Sequence, residues 1–442
     1  MSYTFKIGLA GLGTVGISTL KRLVSMQSKL SDIAGHSVEV RAISARSRDK
    51  DRGIDLSGFK WYDDPVALAQ SDDIDVFVEL IGGDSGPAEE SVFAALRAGK
   101  HVVTANKALI AKHGNSLARL AEEQDVALNF EAAVAGGIPA IKAVRESMTA
   151  NAISRIYGIL NGTCNYILTR MEDDGLSFSE CLKDAQRLGY AEADPTFDVE
   201  GFDTAHKLTI LTSLAFGTEI DSESILIEGI TSISPADIAA ADELGYRIKL
   251  LGVAKRTATG IEQRVHPTLV PKTSSIAQIS GVTNAVVIDG DAIGSITLAG
   301  PGAGGDATAS AVIADIVDLA RGLAIKPLGR PADSLEPFSQ SEIHAHEGGY
   351  YIRLRVNDMH GVFASIATRM AEQEISLESI VQHKKKSRFK AEDVPAGLDK
   401  SQDIILITYE TTEERIGKAI EAINKDGHIV AAPQVIRIAS GV

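Results

Sequence analysis

The sequence predicts an α/β protein in three parts: an N-terminal parallel sheet, an α+β middle and a C-terminal βαββαβ unit. Three observations carry that prediction. Short apolar runs alternate with helical patterns through the first 135 residues, which is how βαβ units read. A glycine turn, Gly11-Leu12-Gly13-Thr14-Val15-Gly16, directly follows the first apolar run. The stretch 349–442 reads strand, helix, strand, strand, helix, strand, a ferredoxin-like order.

In order along the chain, strands are expected at 5–10, 38–44, 76–81, 101–105 and 126–133, with helices such as 87–98 and 108–124 between them. Parallel strands need long crossovers, and these gaps supply them. Residues 1–135 therefore form one domain. A second is expected over 136–325. It holds a strand at 154–160, helices at 165–172, 178–188 and 202–216, a β-rich stretch at 261–298, a glycine loop at 300–305 and a helix at 308–323. Pro327, Pro331, Pro337 and a polar run mark 326–348 as a linker. Beyond it lie strands at 350–356, 376–383, 403–410 and 433–438 and helices at 362–373 and 412–423.

The chain has 442 residues, 44% hydrophobic and 23% charged, enough for sizeable cores and against disorder. Its net charge of −15 argues against a nucleic-acid partner, which calls for a basic face. The one basic cluster, 384–388, reads as a solvated loop. Two cysteines, Cys164 and Cys181, exclude a disulfide framework and suit a reducing cytoplasm. No apolar run is long enough for a membrane helix. The uncharged stretch 7–20 has only Lys6 close ahead of it and is rich in glycine, so export is not expected.

The glycine turn sits where a dinucleotide-binding motif must sit, after a strand and at the start of a helix. Gly11 permits the tight turn, Gly13 lets backbone approach a pyrophosphate, and Gly16 lets helix and strand pack closely. The first sheet is thus read as Rossmann-like. An NAD site places an acid near the end of the second strand. Here Arg46 and Arg48 stand there instead, so NADP is favoured, with NAD the alternative.

The densest polar cluster spans 189–207. It carries Glu192, Asp194, Asp198, Glu200 and Asp203, and ends at Lys207. If 202 onward is helical, Asp203 and Lys207 lie on one face at i and i+4. Such carboxylates suit an ammonium-bearing substrate, and the lysine suits proton delivery to a carbonyl as hydride arrives. The plainer alternative is a solvated loop with a surface pair, which the buried-looking run 208–216 argues against. Thr104 and Lys107 fall at the C-terminal end of a parallel strand, where open α/β sheets bind ligands. Residues 131–139 offer Glu131 and a run of exposed carbonyls that suits a hard cation; a glycine hinge between domains explains the spacing equally well.

These segments together resemble homoserine dehydrogenases carrying a C-terminal ACT regulatory domain. The matching stretches are 11–16, 104–109, 131–139, 159–168, 189–208, 265–271 and 300–305. The resemblance implies interconversion of L-aspartate 4-semialdehyde and L-homoserine on the threonine and methionine pathway. It implies a middle domain that is both catalytic and dimerising, and a homodimer or homotetramer. Lys207 corresponds to the proton donor and Lys107 to a second active-site lysine. Glu192 and Asp203 correspond to substrate-binding acids, with Asp198 in the same motif. Thr14, Val15, Gly189, Gly302 and Gly304 correspond to cofactor contacts. Glu131 with Val134, Gly136 and Ile138 corresponds to a sodium site. In the C-terminal unit, Asn357, Asp358, Gly361 and Val362 correspond to an effector loop, with threonine the first candidate. His360 replaces the proline usual there, and 384–402 is long and charged. A dimerisation module without a ligand is the alternative.

Two rivals remain at the level of sequence. A semialdehyde dehydrogenase making an acyl phosphate needs a cysteine nucleophile, and only Cys164 is placed for one; it reads better as a small buried residue. A non-catalytic dinucleotide sensor would have no use for the acid–lysine cluster.

Overall fold

The computed structural model describes residues 3–341, 347–382 and 401–441. The first sheet contains β1 (Thr4–Ala10), β2 (Ser37–Ser44), β3 (Lys60–Tyr62), β4 (Val76–Glu79), β5 (His101–Thr104) and β6 (Leu128–Asn129). All neighbours are parallel, in the order β3-β2-β1-β4-β5-β6. Alternate side chains leave opposite faces of a strand. Ile7, Leu9, Val76, Val78 and Val103 therefore pack on one side against the helices Thr14–Ser25 and Gly305–Ala320. Phe77 and Val102 pack on the other, against Pro87–Arg97 and Lys107–Glu123. The helix Gly305–Ala320 is far along the chain, yet it completes the first sheet's coat.

Two differences from the sequence reading have plain causes. The run 126–133 pairs only over Leu128–Asn129. Phe130 then leaves extended geometry (φ −150°, ψ 34°), and Glu131–Ala133 forms a 3-10 turn. β3 and the helices Gln27–Ala34 and Pro65–Ala69 were not anticipated, because each is too short to display a period.

The second sheet has eleven strands. Its first group is β7 (Ile153–Ile159), β8 (Leu226–Ile227), β9 (Tyr246–Arg256), β10 (Ile261–Pro271), β11 (Thr283–Gly290) and β12 (Gly294–Pro301). β9 lies upstream of the β-rich stretch expected from sequence. Its second group is β13 (Glu347–Asn357), β14 (Leu377–Gln382), β15 (Ser401–Thr408), β16 (Thr411–Thr412) and β17 (Gln434–Ile438). The path runs β12-β11-β7-β9-β10-β17-β13-β15-β14, with β16 on β13 and β8 on β10. The helix Phe202–Phe216 is buried on nearly every side. It lies between the helix Lys107–Glu123 and strands β7, β9 and β10.

In the C-terminal unit, the helices Val362–Glu372 and Glu413–Lys425 share one apolar cluster with β13 and β15. The unit joins the rest through a short parallel pairing, Thr268 with Arg437 and Leu269 with Ile438. Ion pairs, each with one buried member, flank that seam. Arg437 bonds Glu228 at 2.8 and 3.0 Å, and Arg353 bonds Asp237 at 2.6 Å. Residues 326–341 run along the body: the Ala332 amide donates to Glu122 (3.0 Å) and the Glu336 amide to the Gly217 carbonyl (3.1 Å). The basic cluster 384–388 lies outside the described residues. Among the described residues, no helix is long and apolar enough to cross a membrane.

Candidate active site

In an open parallel sheet, ligands bind beyond the C-terminal strand ends where the strand order reverses, here between β1 and β4. Gly11 follows β1 with φ +96°, and a Cβ there would lie 2.3 Å from the Leu80 carbonyl oxygen. A Cβ on Gly16 would lie 1.9 Å from the Gly11 oxygen, whereas Gly13 faces open space. The helix Thr14–Ser25 begins at Gly13 without a side-chain cap. Its first amides are therefore left for an anion, and the residues present fit the pyrophosphate of a dinucleotide. Val15 and Thr14 lie in that first turn. The loop Gly302–Gly305 closes over it, since a Cβ on Gly305 would come within 2.5 Å of Ser18 Oγ.

The structure brings the two predicted lysines together on one acid. Asp203 and Lys207 stand one helical turn apart. Lys207 Nζ donates to Asp203 Oδ2 and to the Leu160 carbonyl, each at 2.7 Å. Lys107, at the start of its own helix, places Nζ 3.1 Å from Asp203 Oδ1 and 5.8 Å from the centre of the Phe197 ring. Asn161 Nδ2 donates to Asp203 Oδ2 and to Asp198 Oδ1, both at 2.8 Å. Burial pushes the Asp203 carboxyl upward, but the two ammonium groups and these hydrogen bonds outweigh it. The group is held well below the ordinary carboxylate range. Asp198 goes the other way, raised by burial and by the Asp203 charge.

Asn161 was not singled out from the sequence. Its signal was available: an Asn immediately before a helix is an N-cap, and its Oδ1 accepts from the Cys164 amide at 2.8 Å. Glu192 stands exposed on the loop and takes no part in the cluster's hydrogen bonds. Gly189, with φ +78°, is likewise exposed. Thr104 is fully buried, and its hydroxyl donates to Glu79 Oε2 at 2.5 Å.

Arg46 is exposed just past β2. Beyond it, Arg48 and Arg52 lie 5.9 and 5.8 Å from the Trp61 ring. Glu131 is buried, and its two oxygens accept from the Ile141 and Lys142 amides at 2.9 and 2.8 Å. Burial and the nearby Asp315 push it up to about 7. Ala135 and Gly136 both have positive φ, and a Cβ on Gly136 would sit 2.5 Å from the Gly302 oxygen. The Ile138 carbonyl accepts from the Ala140 amide at 2.8 Å. The chemistry of this donor set, a desolvated carboxylate with backbone carbonyls on a left-handed turn, is of the kind that suits a hard cation. Cys164 is wholly buried, and its thiol lies 3.2 Å from the Asp198 carbonyl. Burial raises its pKa well above the ordinary value, the opposite of an activated nucleophile. In the C-terminal unit, Asn357 ends β13, Asp358 and Gly361 are exposed, and Val362 opens a helix with its side chain buried.

Comparison with known proteins agrees with this geometry. A family model described as "Homoserine dehydrogenase, NAD binding domain" matches residues 11–131, and one described as "Homoserine dehydrogenase" matches 139–317. A homoserine dehydrogenase of Pseudomonas aeruginosa is 46% identical over 95% of each chain. The crystal structure of one from Thiobacillus denitrificans superposes with a TM-score of 0.91 at 43% identity, covering 99% of both chains. A hyperthermophilic archaeal homoserine dehydrogenase in complex with NADPH gives 0.62 at 28% identity, covering 72% of this chain and 97% of that one.

Proposed function

This chain belongs to the homoserine dehydrogenase family, NAD(P)-dependent oxidoreductases acting on the CH–OH group of L-homoserine, and from that premise we propose how its residues do the work. The observation that carries the reading is Asp203 holding two ammonium groups, one from its own helix and one from a helix far away in the sequence. When bound, the dinucleotide supplies the site for hydride exchange.

Lys207 is the proton carrier. Its ammonium releases a proton to the substrate oxygen as an aldehyde is reduced, and its amine takes one from the hydroxyl in the reverse direction. The Leu160 carbonyl and Asp203 aim Nζ and leave its third donor position for the substrate oxygen. Lys107 adds a second positive charge at the site mouth and stabilises a developing alkoxide. Asp203, Asp198 and Glu192 recognise the amino acid's ammonium. A substrate cation beside Asp198 would relieve the strain of two neighbouring carboxylates.

The dinucleotide is held by Gly11, Gly13, Thr14, Val15 and Gly16, by Gly302 and Gly304 across the cleft, and by Thr104, Lys107 and Gly189. NADP is the preferred form, with Arg46 toward the 2′-phosphate; the NADPH named for the archaeal structure supports this. Glu131, with the carbonyls of Val134, Gly136 and Ile138, holds sodium and thereby braces the turn that touches Gly302. The C-terminal βαββαβ unit, 349–442, is an ACT domain joined by the linker 326–348 to a dinucleotide-binding domain (1–135) and a catalytic, dimerising domain (136–325). It binds threonine through Asn357, Asp358, Gly361 and Val362. The enzyme works in the cytoplasm as a homodimer or homotetramer, in threonine and methionine synthesis.

The test is homoserine-dependent reduction of NADP and of NAD by the pure protein, repeated with sodium replaced and with threonine added. Faster turnover with NADP, loss without sodium and inhibition by threonine are expected. A preference for NAD, or indifference to either additive, removes the corresponding part.

A further inference from the structure

A fully buried carboxylate, that of Glu79, stands at the end of β4, at the point where the strand order reverses, and none of the chemistry above uses it. Every contact it makes is with a donor. Oε1 accepts from the amides of Ile81 (2.7 Å) and Gly82 (2.9 Å), and Oε2 accepts from the Thr104 hydroxyl (2.5 Å). The Thr104 oxygen in turn accepts from the Asn106 amide at 3.0 Å. Asn106 spends its side chain on the same two loops: Nδ2 donates to the Gly83 carbonyl (2.6 Å), and Oδ1 accepts from the Leu109 amide (3.1 Å) as the helix N-cap. The next residue is Lys107, whose ammonium faces Asp203.

We propose that Glu79 is a positioning residue that sets the place of Lys107 through Thr104 and Asn106. This rests on the reading of Lys107 as an active-site cation. The chain of donors fixes three things at once. It ties the loop after β4 to the loop after β5, it fixes where the helix Lys107–Glu123 begins, and it thereby fixes where the Lys107 stem leaves the backbone. A buried carboxylate can do this because its charge strengthens each hydrogen bond in a dry environment. A glutamine in its place has an NH₂ group where one of the acceptors stood. Its Nε2 meets the Thr104 oxygen, which must then accept from it as well as from the Asn106 amide, so the charge that strengthens both ties is lost without any change in side-chain volume.

The experiment is a double-mutant cycle on the full chain, with turnover on homoserine and equilibrium dinucleotide binding both measured. Thr104→Val removes the hydroxyl while keeping the shape, so it carries the test if Glu79→Gln fails to fold. Each single variant should lower kcat by about tenfold or more, since a displacement near 1 Å in a catalytic group costs up to about 100-fold. Dinucleotide binding should weaken by less than kcat falls, because the glycine turn at 11–16 and the loop at 302–304 keep their places. In a Lys107→Ala background, the same substitutions should have no further effect on kcat, because groups acting through one residue are not additive. A loss that persists undiminished in that background, or single variants with unchanged kcat, overturns the inference while leaving the role of Lys107 intact. A Lys107→Ala enzyme with normal turnover overturns the reading of Lys107 itself, and the inference with it.

Discussion

Asp203 does the most at the scale of single residues. Three donors converge on its two oxygens, and two of them carry full charges. Its depressed pKa means that the ion pairs contribute from the ordinary carboxylate range upward and are lost only in strong acid, as pH falls through the folded-state value. Turnover in mild acid is therefore not limited by this group. Asp203→Asn keeps the shape and removes the charge, leaving two ammonium groups close together without their counter-ion. We expect kcat to fall by about 100-fold or more, with homoserine KM raised; a variant within a few-fold of the parent would contradict the assignment. The sequence made Asp203, Lys207 and Lys107 visible because i,i+4 spacing and a strand's C-terminal end are local patterns. Asn161 was legible only as a helix N-cap, and its bond to Asp203, like that of Glu79 to Thr104, stayed hidden because the partners lie 42 and 25 positions away.

At the scale of elements, the helix Phe202–Phe216 could be read from its apolar run, and so could the strands of the first sheet. β9 was missed although it is central. It carries Lys249, a charge that sequence patterning places outside a core. In the fold Lys249 Nζ donates to Asn165 Oδ1 (3.1 Å) and to the Ile279 carbonyl (2.7 Å), and burial lowers its pKa to about 8. The sign follows from linkage. The folded chain gives up this proton before the unfolded one does, so Lys249 makes stability rise as pH climbs from about 8 toward the ordinary lysine value of about 10.4. Comparing melting temperatures of the parent and Lys249→Met across that window isolates the effect: the parent should gain relative to the variant as pH rises. A constant difference would show that Lys249 is not held in this environment.

At the scale of the molecule, the C-terminal βαββαβ order was legible in the sequence, but its attachment was not. No pattern within β17 announces that it will pair with β10, because that pairing spans only two residue pairs and depends on charges from elsewhere in the chain. Asp237 is fully buried. It accepts from Arg353, Tyr351 and Ser234. Removing one partner of a buried pair leaves the other charge uncompensated. Asp237→Ala should therefore cost about 3–5 kcal/mol in chemical denaturation, and a loss below about 1 kcal/mol would mean that the seam is held by the strands alone. The central claim, however, concerns one amine. The direct measurement is homoserine-dependent dinucleotide reduction by Lys207→Ala, with equilibrium dinucleotide binding measured on the same sample. Turnover should fall by about 100- to 10,000-fold while binding holds; near-normal turnover would contradict Lys207 as the proton carrier.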